Sequence, residues 1–176
     1  AQPDLMLFDE PLSNLDASLR ESMRAYILEA HRAAGCLSLY VTHDQSEALA
    51  LSDRIAVIFD GVVRQIGTPV EVYRRPVDSR VARFLGFDNF LEGSVVKVDG
   101  GAAEVRLSDS LTVRALAARP LSTGERVQVA VRSSHVEIGR DDGRATRPNE
   151  WAGTVTEVRD AQSVVDYTVD CDGVAL

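Results

Sequence analysis

Leu5-Met6-Leu7-Phe8-Asp9-Glu10-Pro11-Leu12-Ser13-Asn14-Leu15-Asp16 is the stretch that decides the fold. Four apolar residues run without alternation into two adjacent carboxylates, and a proline turn and a third carboxylate come next. A short apolar run of this kind, bounded by turn residues, reads as a strand buried on both faces inside a parallel sheet. Asp9 and Glu10 then stand just past the carboxyl end of a central strand, where open α/β sheets place their ligands. A carboxylate there can hold a divalent cation, and its neighbour can orient and deprotonate a water. The same pattern also suits a core strand that simply reaches solvent.

The next strand separates those alternatives. This second apolar run, 37–41, ends in Thr42-His43-Asp44-Gln45. Two neighbouring strands would bring Asp9, Glu10 and His43 to one edge of one sheet. A histidine alone after a strand is usually structural; beside an Asp-Glu pair it suits the sensing of a terminal phosphate. Between the strands, Asp16 predicts the N-cap of a helix over 17–34 that Gly35 closes. Leu19, Met23, Ile27 and Ala30 form its apolar face, and Arg20, Glu21, Arg24, Glu29 and Arg32 read as a solvated face.

Further on, 45–51 reads as a short helix, and strands 54–59 and 62–66 are joined by Asp60-Gly61, a hairpin signal. Thr68-Pro69 supplies an N-cap and a first-turn proline for a helix through Tyr73, and a second short helix covers 79–85. From Asn89 the texture changes to short strands, at 90–98, 103–107, 111–115, 127–132, 151–158 and 164–169. Asp99-Gly100-Gly101, Thr123-Gly124 and Asp172-Gly173 supply turns. That punctuation predicts a small, OB-like β-barrel with Trp151 in its core, and an exposed loop over 140–149.

Composition narrows the function classes. The 19 Lys and Arg against 27 Asp and Glu leave a net charge of −8, which argues against a nucleic-acid partner or an acidic membrane surface. No stretch approaches the roughly 18 apolar residues of a membrane span. Cys36 and Cys171 lack paired spacing and read as reduced thiols, and His31 and His135 have no Cys or His at ligand spacing.

In order and spacing, these segments resemble the C-terminal half of the ATPase subunit of ATP-binding-cassette (ABC) importers, the group with maltose, spermidine and ferric-iron systems. Residues 5–10 resemble the Walker B strand, Ser13-Asn14-Leu15-Asp16 the D-loop, and Thr42-His43-Asp44-Gln45 the switch loop. Asp53-Arg54-Ile55-Ala56-Val57, Gln65-Ile66-Gly67-Thr68-Pro69 and Phe84-Leu85-Gly86-Phe87-Asp88-Asn89 continue the likeness in order. It covers residues 1–89 and is weaker beyond. There, Arg132-Ser133-Ser134-His135 resembles the Arg-x-x-His stretch of the family's TOBE domain. Gly153-Thr154-Val155 with the later Asp166-Tyr167 resembles the start of that domain's second half.

The resemblance implies the C-terminal part of an α/β P-loop NTPase over 1–88, and then a small all-β OB-like barrel, the TOBE domain, over 89–176 and truncated at its end. It implies ATP and Mg²⁺ as cofactors. Asp9 would coordinate Mg²⁺, Glu10 would be the general base, and His43 would contact the γ-phosphate. Ser13 and Asp16 would border the nucleotide, Asp16 from across a dimer interface. The implied partners are a second ATPase subunit, transmembrane permease subunits and, indirectly, a solute-binding protein. The implied location is cytoplasmic, on the inner face of the membrane through the permease. Asn89-Phe90-Leu91-Glu92-Gly93 and Val164-Val165-Asp166-Tyr167 lean towards the polyamine, iron and phosphonate branch rather than the sugar branch.

The Walker A loop, the Q-loop and the Leu-Ser-Gly-Gly-Gln signature have no counterpart here, so the chain is expected to be a piece of a longer protein and inactive alone. Two other readings stand beside this one. The barrel could be a regulatory or dimerisation module without ATPase activity. Residues 1–88 could instead be the ATPase head of a DNA-maintenance protein, against which both the acidic charge and the appended barrel speak.

Overall fold

The computed structural model describes residues 3–140, 147–161 and 164–176. The chain divides into two compact units, one up to Val81 and the other from Ala82. Within the loop expected over 140–149, residues 141–146 lie outside the described residues, and Arg140 and residues 147–149 are exposed.

The first unit begins with β1 (Leu5–Asp9), α1 (Ala17–Ala34) and β2 (Leu37–Val41). β1 and β2 pair in parallel, with Leu5 opposite Leu37 and Asp9 opposite Val41. α1 is the crossover that a parallel pair requires. Its ends are set by local chemistry. The Asp16 carboxylate accepts the Leu19 N–H at 2.9 Å, and Gly35, at φ 63°, donates its N–H to the His31 carbonyl.

Two expectations are corrected here. β1 was expected to be buried on both faces, yet it alternates. Met6, Phe8, Ser38 and Tyr40 form a half-buried face, tied to helices by His31 Nδ1 to Ser38 Oγ (2.8 Å) and by Tyr40 OH to Glu47 (3.0 Å). On the opposite face Leu5, Leu7, Leu37, Leu39 and Val41 are exposed, Leu7 and Leu37 by about seven-tenths. The reason is that β1 and β2 make a two-stranded sheet among the described residues. Their outward aliphatic side chains are those of a strand in a larger, two-sided sheet. The second correction concerns α1. Leu19 and Ala30 are exposed, whereas Arg20 and Arg24 are half-buried beside Met23, Ile27 and Leu28.

The unit continues with α2 (Gln45–Leu51), β3 (Ile55–Phe59), β4 (Val62–Gly67) and α3 (Pro69–Arg74). β3 and β4 form the expected hairpin, turning through Asp60 at φ 53° and Gly61 at φ 74°, the two positive φ values of a type I′ turn. Thr68 caps α3 in a reciprocal box: its hydroxyl accepts the Glu71 N–H, and Glu71 Oε2 accepts the Thr68 N–H at 2.9 Å. Such a cap contributes about 1 kcal/mol. α4 (Ser79–Phe84) runs into the second unit.

From Asn89 onward the described residues of the second unit form strands and their connections, apart from one 3-10 turn at Ser133–His135. β5 (Asn89–Asp99), β6 (Ala102–Arg106), β7 (Thr112–Leu116) and β8 (Arg126–Val131) form an antiparallel sheet of order β7-β6-β5-β8. Its apolar face buries Leu91, Val95, Ala103, Val105, Val113 and Val129, and Trp151 packs against that cluster while its Nε1–H donates to the Thr112 carbonyl at 3.1 Å. β9 (Thr154–Ala161), β10 (Val164–Cys171) and β11 (Val174–Ala175) make a second antiparallel sheet. Among the described residues β7 and β8 do not pair, so the first sheet is an open half-barrel.

The repeat-like half read from Gly153 has a physical counterpart. Gly93 begins a segment in which Val95 pairs with Val105, and Gly153 precedes one in which Val155 pairs with Val169. At both glycines the facing strand comes too close for a side chain. A Cβ on Gly93 would lie 2.5 Å from Val105 Cγ1 and 2.6 Å from the Arg106 carbonyl oxygen, and one on Gly153 would lie 2.6 Å from Val169 Cγ1. The two meanders β5–β6–β7 and β9–β10–β11 share this device.

Candidate active site

At the carboxyl end of the parallel pair, Glu10 leaves β1 with φ 45°, a left-handed conformation that side-chain-bearing residues seldom adopt. Three hydrogen bonds hold it there. Its N–H donates to the Val41 carbonyl at 2.9 Å, and its carbonyl accepts from the Ser13 N–H (3.2 Å) and the Ser13 hydroxyl (3.0 Å). Leu12, only 1% exposed, anchors the turn from below. The strained backbone directs the Glu10 carboxylate sideways to the end of β2, where its Oε1 stands 3.1 Å from His43 Nδ1. Both side chains are open to solvent, His43 more so.

His43 is held by its two neighbours in sequence. Thr42 donates its hydroxyl to Glu47 Oε2 at 2.9 Å, and Tyr40 donates to the same oxygen. Glu47 is 3% exposed, a buried carboxylate satisfied by two hydroxyl donors. Burial, and then the hydrogen bond to Glu47, push the Tyr40 phenol well above its usual range, so it remains a donor. Asp44 caps α2, its Oδ1 accepting from the Ser46 and Glu47 N–H groups at 2.8 and 3.3 Å. Its Oδ2 faces Arg20 Nη1 at 3.5 Å and Arg24 Nη2 at 3.6 Å.

The Ser46 hydroxyl does most to hold the Asp44 carboxyl below its ordinary range. Burial opposes it, and the Glu47 and Ser46 amides and the Arg24 charge add to the lowering. A carboxyl depressed in the folded state stabilises the protein fully above its unfolded pKa of about 3.9, and that contribution is lost as pH falls through the folded value. Asp44→Asn keeps a capping oxygen and removes the charge. It is expected to destabilise the first unit by about 1 kcal/mol at pH 7. Urea-unfolding free energies of the variant and parent should differ by a constant amount above about pH 3.9 and converge below it; a gap that persists undiminished well below that acidity would contradict the charge assignment.

Glu10, Ser13, Arg20, Thr42, His43, Asp44 and Glu47 together line a small depression of about 30 Å³. Three residues singled out from the sequence, Glu10, Ser13 and His43, are thus brought together. Asp9 ends β1 opposite Val41, exposed and outside that lining, and Asp16 spends its carboxylate on the α1 cap. Among the described residues no group of three or more His, Cys, Asp or Glu could hold a metal ion, so Asp9 offers a single carboxylate ligand. Arg20, Arg24 and Glu47 carry no role in the sequence reading. The Asp44-to-Glu47 spacing of a cap and its third helical residue was the available signal for Glu47, although Tyr40 and Thr42 claim its carboxylate instead.

Comparison with known proteins gives this geometry its context. No family model matches the chain. Curated relatives do. The chain is 42% identical over 141 residues to the spermidine/putrescine import ATP-binding protein PotA of Ruegeria pomeroyi, covering 80% of this chain and 38% of the relative. It is 41% identical over 139 residues to the maltose/maltodextrin import ATP-binding protein MalK of Vibrio vulnificus, covering 77% and 38%. Against the sn-glycerol-3-phosphate import ATP-binding protein UgpC of Yersinia pestis it is 46% identical over 138 residues, again covering 77% and 38%. The chain is thus a homologue of import ATP-binding subunits, the group its ordered motifs resemble, and it spans 38% of the length of these relatives.

Proposed function

We propose that the whole protein is the ATP-hydrolysing subunit of an ABC import system, and that this chain supplies the catalytic end of its P-loop ATPase domain together with an OB-like TOBE domain. The observation that carries the reading is the Glu10–His43 contact of 3.1 Å across the ends of two parallel strands, in a chain homologous to import ATP-binding proteins.

Glu10 is the general base: its carboxylate, fixed by a strained and triply hydrogen-bonded backbone, accepts the proton of the attacking water. His43, its ring beside that carboxylate, contacts the terminal phosphate. Asp9 holds Mg²⁺, which when bound neutralises charge on the phosphates. One carboxylate does not complete such a site, and nucleotide and water oxygens would supply further ligands. Ser13 and Asp16 belong to the turn that borders the nucleotide, Ser13 by bracing Glu10. The exposed aliphatic face of Leu5, Leu7, Leu37, Leu39 and Val41 fits a strand pair whose sheet is extended by other parts of a longer protein. Two such subunits share their sites, dock on permease subunits at the cytoplasmic face of the membrane, and serve a solute-binding protein indirectly. Among the described residues no helix is long and apolar enough to cross a membrane. Relatives named for three different cargoes lie within 41–46% identity, as suits a subunit that reads ATP rather than cargo.

The test is magnesium-dependent ATP hydrolysis by the full-length protein. His43→Ala is expected to lower turnover about 10²-fold or more, because a positioned polar partner of the reacting phosphate is lost. Parental turnover in that variant would remove His43 from the site.

A further inference from the structure

Arg20 stands at the start of α1 and reaches in two directions. Its Nη2 donates to the Leu15 carbonyl at 2.9 Å, inside the turn that braces Glu10. Its Nη1 lies 3.5 Å from Asp44 Oδ2, on the residue next to His43. The side chain is about one-third exposed and lines the same depression as Glu10 and His43.

From this geometry we infer that Arg20 is a positioning residue, linking the 13–16 turn to the loop that carries His43. The inference rests on the ATPase reading above. Capping α2 needs only Asp44 Oδ1 and no cation. Yet Oδ2 faces two half-buried guanidiniums, and the second, Arg24, also donates to the Ser46 hydroxyl at 2.7 Å. An isolated surface ion pair would leave the Leu15 carbonyl out of the arrangement. Here one planar fork sends separate nitrogens to a backbone acceptor on one loop and a carboxylate on the other, a geometry that a guanidinium holds rigidly and a point-like ammonium does not reproduce. Thr42 on the far side of His43 is fixed separately, through buried Glu47. The His43 loop is therefore held on one side by its own helix and on the other by α1. Any shift of the 13–16 turn moves Asp44, and with it the His43 ring, relative to Glu10.

The experiment uses the full-length protein with Arg20→Met, Arg20→Lys and, as control, Arg32→Met in the last turn of α1. Arg20→Met should lower kcat for ATP hydrolysis about ten-fold or more with KM within about two-fold, the signature of misplaced chemistry rather than weakened binding. Arg20→Lys should fail to restore kcat. Arg20→Met combined with Asp44→Asn should be no slower than the slower single variant. A readout independent of turnover is the His43 ring Cε1–H resonance, assigned by its disappearance in His43→Ala. It should shift in Arg20→Met and Arg20→Lys and stay in place in Arg32→Met. Parental kcat with an unmoved His43 resonance, or a loss confined to KM, would overturn the inference. Glu10→Gln run alongside separates the two failures. If it hydrolyses at the parental rate, the ATPase reading falls and takes this inference with it. If it is inactive while Arg20→Met is parental, the positioning role alone falls.

Discussion

Glu10→Gln in the full-length protein is expected to keep ATP binding and to lose about 10²–10⁴-fold in the rate of hydrolysis. The substitution is nearly isosteric, so the backbone that holds residue 10 at φ 45° between the Val41 carbonyl and the Ser13 donors is unchanged. The amide oxygen can still accept a hydrogen bond from His43 Nδ1–H, as the carboxylate oxygen at 3.1 Å can. Only the basicity is removed. The variant should therefore hold ATP without turning it over, a state read by nucleotide affinity together with phosphate release. Weakened binding with residual turnover near parental would mean that Glu10 is a structural residue of the strand end.

The second large effect is on stability. Gly93→Val should destabilise the second unit by about 3 kcal/mol, at the upper end for over-packing in a core. The new Cβ would meet Val105 Cγ1 at 2.5 Å and the Arg106 carbonyl oxygen at 2.6 Å, and a backbone atom in a paired strand cannot yield as a flexible side chain can. Val95 and Val105, both almost fully buried, lie in the same register, so relief at Gly93 would open the centre of the cluster. Gly139→Ala, where nothing lies within 4 Å, is the control and should be close to neutral. Chemical denaturation of the two variants decides the matter; equal midpoints would contradict the close approach of β5 and β6.

The features legible in the sequence are those that local chemistry decides. The Asp16 cap, the Gly35 stop, the Thr68 cap and the Asp60-Gly61 turn each depend on residues within a few positions, and each stands where expected. The meeting of Glu10 and His43 is legible as well, because parallel pairing of two apolar strands sends both strand ends to one edge. Burial is less legible, since it depends on what lies above and below a strand. The run at Leu5–Asp9 carries the composition of a two-sided interior strand, yet one of its faces is open here. The arginines of α1 escape the sequence for a related reason: on a helical wheel Arg20 and Arg24 share the polar side, and only the tertiary position of Asp44, 24 residues beyond Arg20, draws them inward. No periodicity within α1 encodes that acceptor.

The central claim is that Glu10 and His43 act as one hydrolytic unit, and a double-mutant cycle in the full-length protein tests it most directly. Glu10→Gln, His43→Ala and the double variant should be compared in single-turnover ATP hydrolysis, which separates chemistry from binding and release. Residues that act together lose their contribution once, so the double variant should be about as slow as the slower single variant. Strictly additive losses, or a parental rate in either single variant, would contradict the account.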